Sequence, residues 1–304
     1  MDLSIIIVNW NTRELLRQCL TSVEENVQSI RDLDVETLVV DNASTDGSTD
    51  MMREHFPWVQ ILENEENVGF ARGNNQALHI SRGRYVLLLN SDTEVLPGAL
   101  ETLSAFMDRH PDAGAVGPLL LNADGTLQPS CHPMLTPWRE FWRLIFLDRL
   151  IQRRATYDMK HWDRTTPRPV EVIKGAAMLL RKCALDEVGF LDEQYFMYSE
   201  EMDLCHRLLS AGWQLYWVPQ ASVVHHGGAS SAKMPEQMYV QLYRSKVQFH
   251  RKFGGERRAR LMKALLAVAY LPRWAITGPG ASVRSTWRPR AQTYRRLLRE
   301  LPRM

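Results

Sequence analysis

The 304-residue chain is short of cysteine and of net charge, with four cysteines and a formal charge of only +2. Cys19, Cys131, Cys183 and Cys205 show neither close pairing nor metal-ligand spacing, which leaves reduced, buried thiols rather than a disulfide framework. No G-x-G-x-x-G follows the first apolar run, and no P-loop lysine is present, so dinucleotide-binding and nucleoside-triphosphate folds lose ground. Long apolar runs are missing too. The stretch Ala264 to Leu271, flanked by Lys263 and Pro272, falls well short of the roughly twenty residues that span a bilayer. Met1-Asp2 leads straight into Ile5 to Val8 with no basic region before it, so no secretory signal is readable and a cytoplasmic location is expected.

The small net charge conceals an asymmetry. Of the 37 Lys plus Arg and 35 Asp plus Glu, sixteen basic residues and only Glu256 and Glu300 lie from Gln241 onward, so the tail carries 16 − 2 = +14. The rest carries 21 − 33 = −12. An acidic body argues against nucleic acid lying across it, while a basic tail seeks an anionic partner such as a lipid surface.

With 45% apolar residues the chain can bury a substantial core. Its first hundred residues read β-α-β-α-β-α-β, the pattern of a parallel sheet with crossover helices. Strands are expected at Ser4 to Val8, Glu36 to Val40, Val59 to Leu62 and Tyr85 to Leu89. Thr12 is expected to cap a helix bearing Leu15, Leu16, Cys19, Leu20 and Val23 at helical spacing. Asn9, Asp41 and Asp92 each follow a strand. In open α/β sheets ligands bind beyond the carboxyl ends of the strands, so three polar strand ends point to one cleft. Any one of them alone would read as a turn former or helix cap.

From about Leu127 to Pro169 the chain is rich in Pro, Trp and Arg and reads as an insertion. Thr136-Pro137 makes a helix start there, and Trp138, Phe141, Trp142 and Ile145 form its expected apolar face. A strand is expected from Val170 through Leu180, a helix from Ser199, and a strand near Gln214 to Val218.

These segments together resemble the inverting glycosyltransferases of family two with a GT-A fold, in their bacterial rhamnosyltransferase-like branch. The resemblance rests on SIIIVNWN (Ser4 to Asn11), VVDNASTDGS (Val39 to Ser48), NVGFARGNNQA (Asn67 to Ala77) and LNSDTE (Leu89 to Glu94). It continues through KGAAMLLR (Lys174 to Arg181), GFLDEQYFMYSEEMDLCHR (Gly189 to Arg207) and HHGGAS (His225 to Ser230), and covers about residues 1 to 255. It implies a Rossmann-like α/β fold with a mostly parallel central sheet, a catalytic domain over 1–255 with an acceptor-side insertion at 127–169, and a helical basic tail over 256–304.

What the resemblance implies for the site can be set beside the chemistry. Residues matching Val8, Asn9 and Asp41 hold the base and ribose, Asp41 by accepting a base imide N–H or a ribose hydroxyl. Arg72 matches a basic residue near the nucleotide. Asn90, Ser91 and Asp92 stand where the family has D-x-D, with Asn replacing the first acid. Asp92 would hold a divalent ion, Mg²⁺ or Mn²⁺, on the donor diphosphate; such an ion keeps waters and shares one or two carboxylates with phosphate oxygens, so one Asp is adequate. His225 matches a histidine that joins the metal shell, and an imidazole there favours Mn²⁺. Glu201 occupies the position of the general base, usually Asp, with Gly175, Ala176 and Glu200 on the acceptor side. Glu201 should fall in line with Leu204, Cys205 and Leu208, with Glu200 and Asp203 pointing elsewhere and Asp203 paired to Arg207.

The implied function is inverting transfer of a sugar, rhamnose by the branch, from a UDP or dTDP donor to a glycan or polyprenyl-linked acceptor in cell-surface polysaccharide synthesis. The basic tail would dock the enzyme at the inner face of the membrane. Because Asn90 and Glu201 depart from the family pattern, a non-catalytic nucleotide-sugar sensor or scaffold is the rival. A nucleic-acid binder ranks below both, for want of a binding module.

Overall fold

A computed structural model describes residues 1–30, 33–145, 157, 159–227, 235–280 and 288–304. Parts of three expected features therefore lie outside the described residues: 146–156 and 158 of the insertion, 228–230 of the HHGGAS segment, and 281–287 of the tail. The chain forms two compact units. Unit 1 comprises Met1–Met134, Met159–Phe196 and Glu200–Ala232; unit 2 comprises Leu135–Asp158, Met197–Ser199 and Lys233–Met304. The chain thus divides differently from the expected 1–255 and 256–304.

Unit 1 is built on one mixed sheet. β1 (Leu3–Asn9) is buried along nearly its whole length because it pairs in parallel with β2 (Val35–Asp41) on one side and β4 (Tyr85–Asn90) on the other. A strand covered on both faces and both edges must be an unbroken apolar run, and SIIIV is one. β3 (Gln60–Glu63) extends the parallel half beyond β2. The crossovers are α1 (Arg13–Ser29), α2 (Ser48–His55) and α3 (Phe70–Ile80), in the expected β-α-β-α-β-α-β order. α1 buries Leu16, Cys19, Leu20 and Val23 at helical spacing.

The other half of the sheet departs from parallel. β5 (Thr93–Val95) and α4 (Ala99–Arg109) lead to β6 (Ala113–Leu121), whose Gly114, Gly117 and Pro118 interrupt the apolar pattern that marks a strand. β11 (Ala177–Arg181) runs antiparallel between β4 and β6, and β12 (Gln214–His225) runs parallel to β6. The resulting order is β3-β2-β1-β4-β11-β6-β12-β5. The expected strand from Val170 to Leu180 is two pieces, β10 (Val172–Ile173) and β11, with Lys174-Gly175-Ala176 as the loop between them.

Part of the expected insertion belongs to the sheet system. β7 (Leu127–Gln128) pairs with β6, β9 (Arg168–Pro169) with β12, and β8 (Cys131–His132) with β10. Two-residue strands are too short to display a period of two, which is why the pattern reads as irregular. α6 (Lys182–Val188) and α7 (Glu200–Ser210) complete unit 1. Cys19, Cys131 and Cys205 are buried, and burial pushes each thiol up to about 12. Cys183 corrects the expectation, because it is exposed on α6.

Unit 2 gathers α5 (Pro137–Leu144), α8 (Pro235–Gly280) and α9 (Arg288–Glu300) around Val240, Tyr243, Val247, Met262, Leu266, Tyr270 and Leu297. Gly255, at φ 69 and ψ 179, breaks α8 into two helical segments, so position 255 is a kink and not a domain end. Thr136 caps α5 as expected, its hydroxyl accepting from the Arg139 N–H with Pro137 in the first turn. The buried face of α5 differs from expectation: Pro137, Glu140 and Leu144 face inward while Trp138 is 55% exposed. Glu140 goes inside because Lys246 Nζ and Arg143 Nη2 each meet its Oε1 at 2.7 Å. No helix among the described residues is long and apolar enough to cross a membrane.

Candidate active site

The carboxyl ends of β1, β2 and β4 lie side by side, with Asn9 opposite Asp41 and Val8 opposite Asn90 in the register. Buried Asn9 Nδ2 donates to Asp41 Oδ1 at 2.8 Å, and the Ser44 N–H donates to Asp41 Oδ2 at 2.8 Å. Thr12 differs from its expected part. Its hydroxyl makes no cap to α1; it donates to Asn9 Oδ1 at 2.7 Å and lies 2.8 Å from Ser91 Oγ, tying the first strand end to the third. Asn11 and Ala43, both at positive φ, turn the two loops around this point.

α3 comes close to β1 where glycine permits it. A Cβ on Gly73 would stand 3.2 Å from Val8 Cγ1, so Val8 is pressed against the helix. Gly69 has φ 88, and a Cβ there would fall 2.6 Å from the Phe196 carbonyl, which accepts the Phe70 N–H at 2.8 Å. Arg72 is exposed on α3.

Beyond β4, Asp92 and His225 are both buried, with Asp92 Oδ1 3.3 Å from His225 Nε2. Asn90 Nδ2 lies 3.4 Å from the same imidazole nitrogen. β5 and the end of β12 pair antiparallel, Thr93 opposite His225, and that pairing brings residues 135 positions apart together. No group of three or more His, Cys, Asp or Glu able to hold a metal occurs among the described residues. Asp92 and His225 nevertheless fit a hard divalent ion: one carboxylate oxygen and one imidazole nitrogen leave the remaining positions to diphosphate oxygens and water.

The loop after β10 joins this cluster to α7. The Asn90 N–H donates to the Ala176 carbonyl at 3.0 Å, and a Cβ on Gly175 would stand 3.5 Å from Glu201 Cβ, so Gly175 makes room for Glu201. Lys174 was not foreseen as a site residue. Burial pulls its ammonium below the usual lysine value, while the charges of Glu201 and Asp92 push it back up, so both carboxylates lie within its field. Gln128 was missed as well: its Oε1 lies 2.6 Å from His225 Nδ1 and 3.4 Å from Lys174 Nζ. Lys174 stands in the KGAAMLLR motif, but nothing in the sequence flags Gln128, because its partner His225 comes from a remote strand.

The start of α7 corrects two expectations. Glu200 and Asp203 do not point away; both are buried, along with Met202, Leu204 and Cys205. Ser199, at φ 70, is in the left-handed region, and the helix expected from it begins one residue later, at Glu200. The expected ion pair does form, Arg207 Nε to Asp203 Oδ1 at 2.6 Å, and Arg207 also donates to the carbonyls of Val188, Gly189 and Phe190. Burial, followed by the charge of Glu201, holds the Glu200 carboxyl well above the usual carboxylate range.

A sheet with strand order 3-2-1-4 and polar ends on β1, β2 and β4 defines the class of GT-A-fold glycosyltransferases, to which the similar solved structures belong. One is GalNAc-T7 with UDP, GalNAc and Mn²⁺, at TM-score 0.57 and 17% identity, covering 74% of this chain and 44% of that one. Another is residues 1–349 of Staphylococcus aureus TarS in complex with UDP, at TM-score 0.54 and 15% identity, covering 93% and 75%. The chain spans less than half of the GalNAc-T7 protein.

The model of "Glycosyl transferase family 2" matches residues 4–165, and that of "Glycosyl transferase family group 2" matches 85–291. The N-acetylglucosaminyl-diphospho-decaprenol L-rhamnosyltransferase of Mycobacterium tuberculosis is 33% identical over 215 residues, 66% of this chain and 69% of that protein. A low-salt glycan biosynthesis hexosyltransferase of Haloferax volcanii is 26% identical, over 68% and 61%. The chain belongs to glycosyl transferase family 2, in the branch similar to that rhamnosyltransferase, and is a glycosyltransferase.

Proposed function

We propose that the chain transfers a sugar, rhamnose in the first instance, from a dTDP or UDP donor to a hydroxyl of a lipid-linked glycan in cell-surface polysaccharide synthesis, with inversion at the anomeric carbon. The observation that carries this reading is Lys174, a half-buried cation that feels the charges of both Glu201 and Asp92. A base for the acceptor and a carboxylate for the donor diphosphate thus share the field of one cation. The rhamnosyltransferase relative supports the sugar and the lipid-linked acceptor.

In this reading Asn9 and Asp41 bind the nucleoside, with Val8 beside them and Arg72 at the exposed margin. The acceptor enters by Gly175, Ala176 and Glu200. Glu201 takes the proton of the acceptor hydroxyl while its oxygen bonds to the anomeric carbon, and the bond from that carbon to the diphosphate oxygen breaks on the opposite face. Burial, followed by the like charge of Glu201, raises the Glu200 carboxyl well above its ordinary value and so favours its neutral form. Asp92 and His225, with Asn90 and Ser91 beside them, would hold a divalent ion, which when bound supplies Lewis-acid neutralisation of the leaving diphosphate. Lys174 adds a fixed positive charge to the same region.

The second half of α8 supports docking at an anionic membrane. Leu261, Val268, Leu271 and Ile276 are exposed and fall on one side of the helix, with exposed Trp274 nearby. Arg257 and Arg258 continue that side, and near an anionic leaflet each basic residue contributes about 1 kcal/mol.

The test is Glu201→Gln assayed with a panel of nucleotide sugars. Transfer should fall about 10²- to 10⁴-fold while donor-induced thermal stabilisation persists. A sensor or scaffold would instead give wild-type protein that binds donor and releases no nucleoside diphosphate.

A further inference from the structure

Gln128, on a two-residue strand remote in sequence from every motif of the family, reaches the imidazole of His225, and the direction of each hydrogen bond around it is fixed by groups that can only accept. Gln128 Nε2 lies 3.0 Å from the His225 backbone carbonyl and 2.9 Å from Asn122 Oδ1. The carbonyl is an acceptor, so the Gln128 NH₂ faces it and donates. A second chain arrives at the same orientation independently. The Asp124 carboxylate accepts from the Thr126 hydroxyl at 2.6 Å, so that hydroxyl accepts from Asn122 Nδ2 at 2.9 Å, and Asn122 Oδ1 is left facing Gln128 as acceptor. Both routes put Gln128 Oε1 against His225 Nδ1, at 2.6 Å.

An amide oxygen accepts only. His225 must therefore carry a proton on Nδ1, and in the neutral ring the lone pair sits on Nε2. That nitrogen is the one 3.3 Å from Asp92 Oδ1 and 3.4 Å from Asn90 Nδ2. A lone pair and a carboxylate oxygen directed at one point make a donor set for a cation. Lys174 Nζ meets the same Gln128 oxygen at 3.4 Å, so the oxygen that fixes the ring also touches the loop leading to Gly175.

We propose that Gln128 is a positioning residue for the metal centre: it fixes the His225 tautomer and ring orientation so that Nε2 presents a ligand lone pair beside Asp92. The proposal rests on the reading of Asp92 and His225 as the metal pair. Partners of this kind commonly govern metal affinity by about 10- to 100-fold when they are removed.

The experiment is Mn²⁺ binding to the full chain, followed by the electron paramagnetic resonance signal of free Mn²⁺, with no donor and no turnover. Gln128→Met should weaken binding about 10- to 100-fold, whereas Gln128→Glu, which keeps an acceptor at Nδ1 but loses the two bonds the amide NH₂ donates to the His225 carbonyl and Asn122 Oδ1, should weaken it less. Asp92→Asn separates the two readings. If Mn²⁺ binding is absent or indifferent to Asp92→Asn, the metal site and the role of Gln128 both fall. If Asp92→Asn abolishes binding and Gln128→Met leaves it unchanged, only the role of Gln128 falls. Equal weakening by Gln128→Glu and Gln128→Met would reduce Gln128 to packing and also overturn the proposal. Nitrogen-15 spectra of histidine-labelled, metal-free wild-type protein, with His225 assigned by its loss in His225→Gln, decide the point even if Gln128→Met does not fold. A proton on Nδ1 alone is expected; a proton on Nε2 overturns the proposal.

Discussion

Adjacent carboxyls at the head of α7 sit in different surroundings. Glu200 is 5% exposed, and its Oε2 has no hydrogen-bond partner. Glu201, one residue on, faces Gly175 and the field of Lys174. Burial favours the neutral form of Glu200, so Glu200→Gln should keep transfer within a few-fold of wild type, in contrast to the large loss expected for Glu201→Gln. The same shift has a stability consequence. A carboxyl whose folded pKa lies above its unfolded value binds its proton more tightly in the native state, so its contribution to stability declines as pH rises above about 4.5 toward the folded value. Thermal midpoints of wild type should fall over that window and those of Glu200→Gln should fall less. Equal slopes, or an inactive Glu200→Gln with intact donor binding, would move the base assignment toward Glu200.

At the scale of elements, two buried ion pairs hold helices whose positions the apolar pattern alone would leave loose. Asp203 is fully buried and Arg207 mostly so, and the guanidinium fastens α7 to three successive carbonyls ahead of it. Asp203→Asn leaves that cation without its counter-charge and should cost about 3–5 kcal/mol in urea unfolding, with donor binding retained in the folded fraction. A change under 1 kcal/mol would mean that the carbonyls alone suffice. In unit 2, burial alone would raise the Glu140 carboxyl, but the charges and hydrogen bonds of Lys246 and Arg143 outweigh it and bring the group down to about 2. A depressed carboxyl stabilises the fold above its unfolded value, and that stability is lost as pH falls from about 4.5 toward 2. Glu140→Gln should abolish this part of the acid sensitivity, seen as a flatter dependence of the thermal midpoint on pH between 5 and 3. A slope matching wild type would assign the acid transition to other carboxylates.

At the scale of the whole chain, the charge imbalance and the exposed apolar side of α8 make one prediction together. Leu271→Asp with Ile276→Asp should reduce sedimentation with vesicles containing anionic phospholipid, and raising salt should weaken wild-type binding as the basic residues are screened. Vesicle binding unaffected by both changes would leave the tail as a helical unit folded on its own core of tyrosines and leucines. Tyr243 and Tyr270, whose hydroxyls lie 2.7 Å apart in that core, belong to a packing that the basic composition of the tail conceals.

What the amino-acid sequence determined by itself was whatever is written in consecutive residues. β1 and β4 carry the unbroken apolar runs Ile5 to Val8 and Val86 to Leu89 because each lies inside the sheet, α1 repeats its apolar residues at the helical period, and the polar residues at the strand ends mark the ligand edge. The local motifs likewise carried Asp41, Asp92 and Glu201. Only the tertiary structure decided which distant groups share a point. The pairing of β5 with β12 brings His225 to Asp92, the short strand β7 carries Gln128 to His225, and the loop after β10 sets Lys174 within reach of both Glu201 and Asp92. It also turned Glu140 and Glu200 inward against their expected faces: Glu140 meets the remote Lys246 as well as Arg143, while burial raises the Glu200 carboxyl.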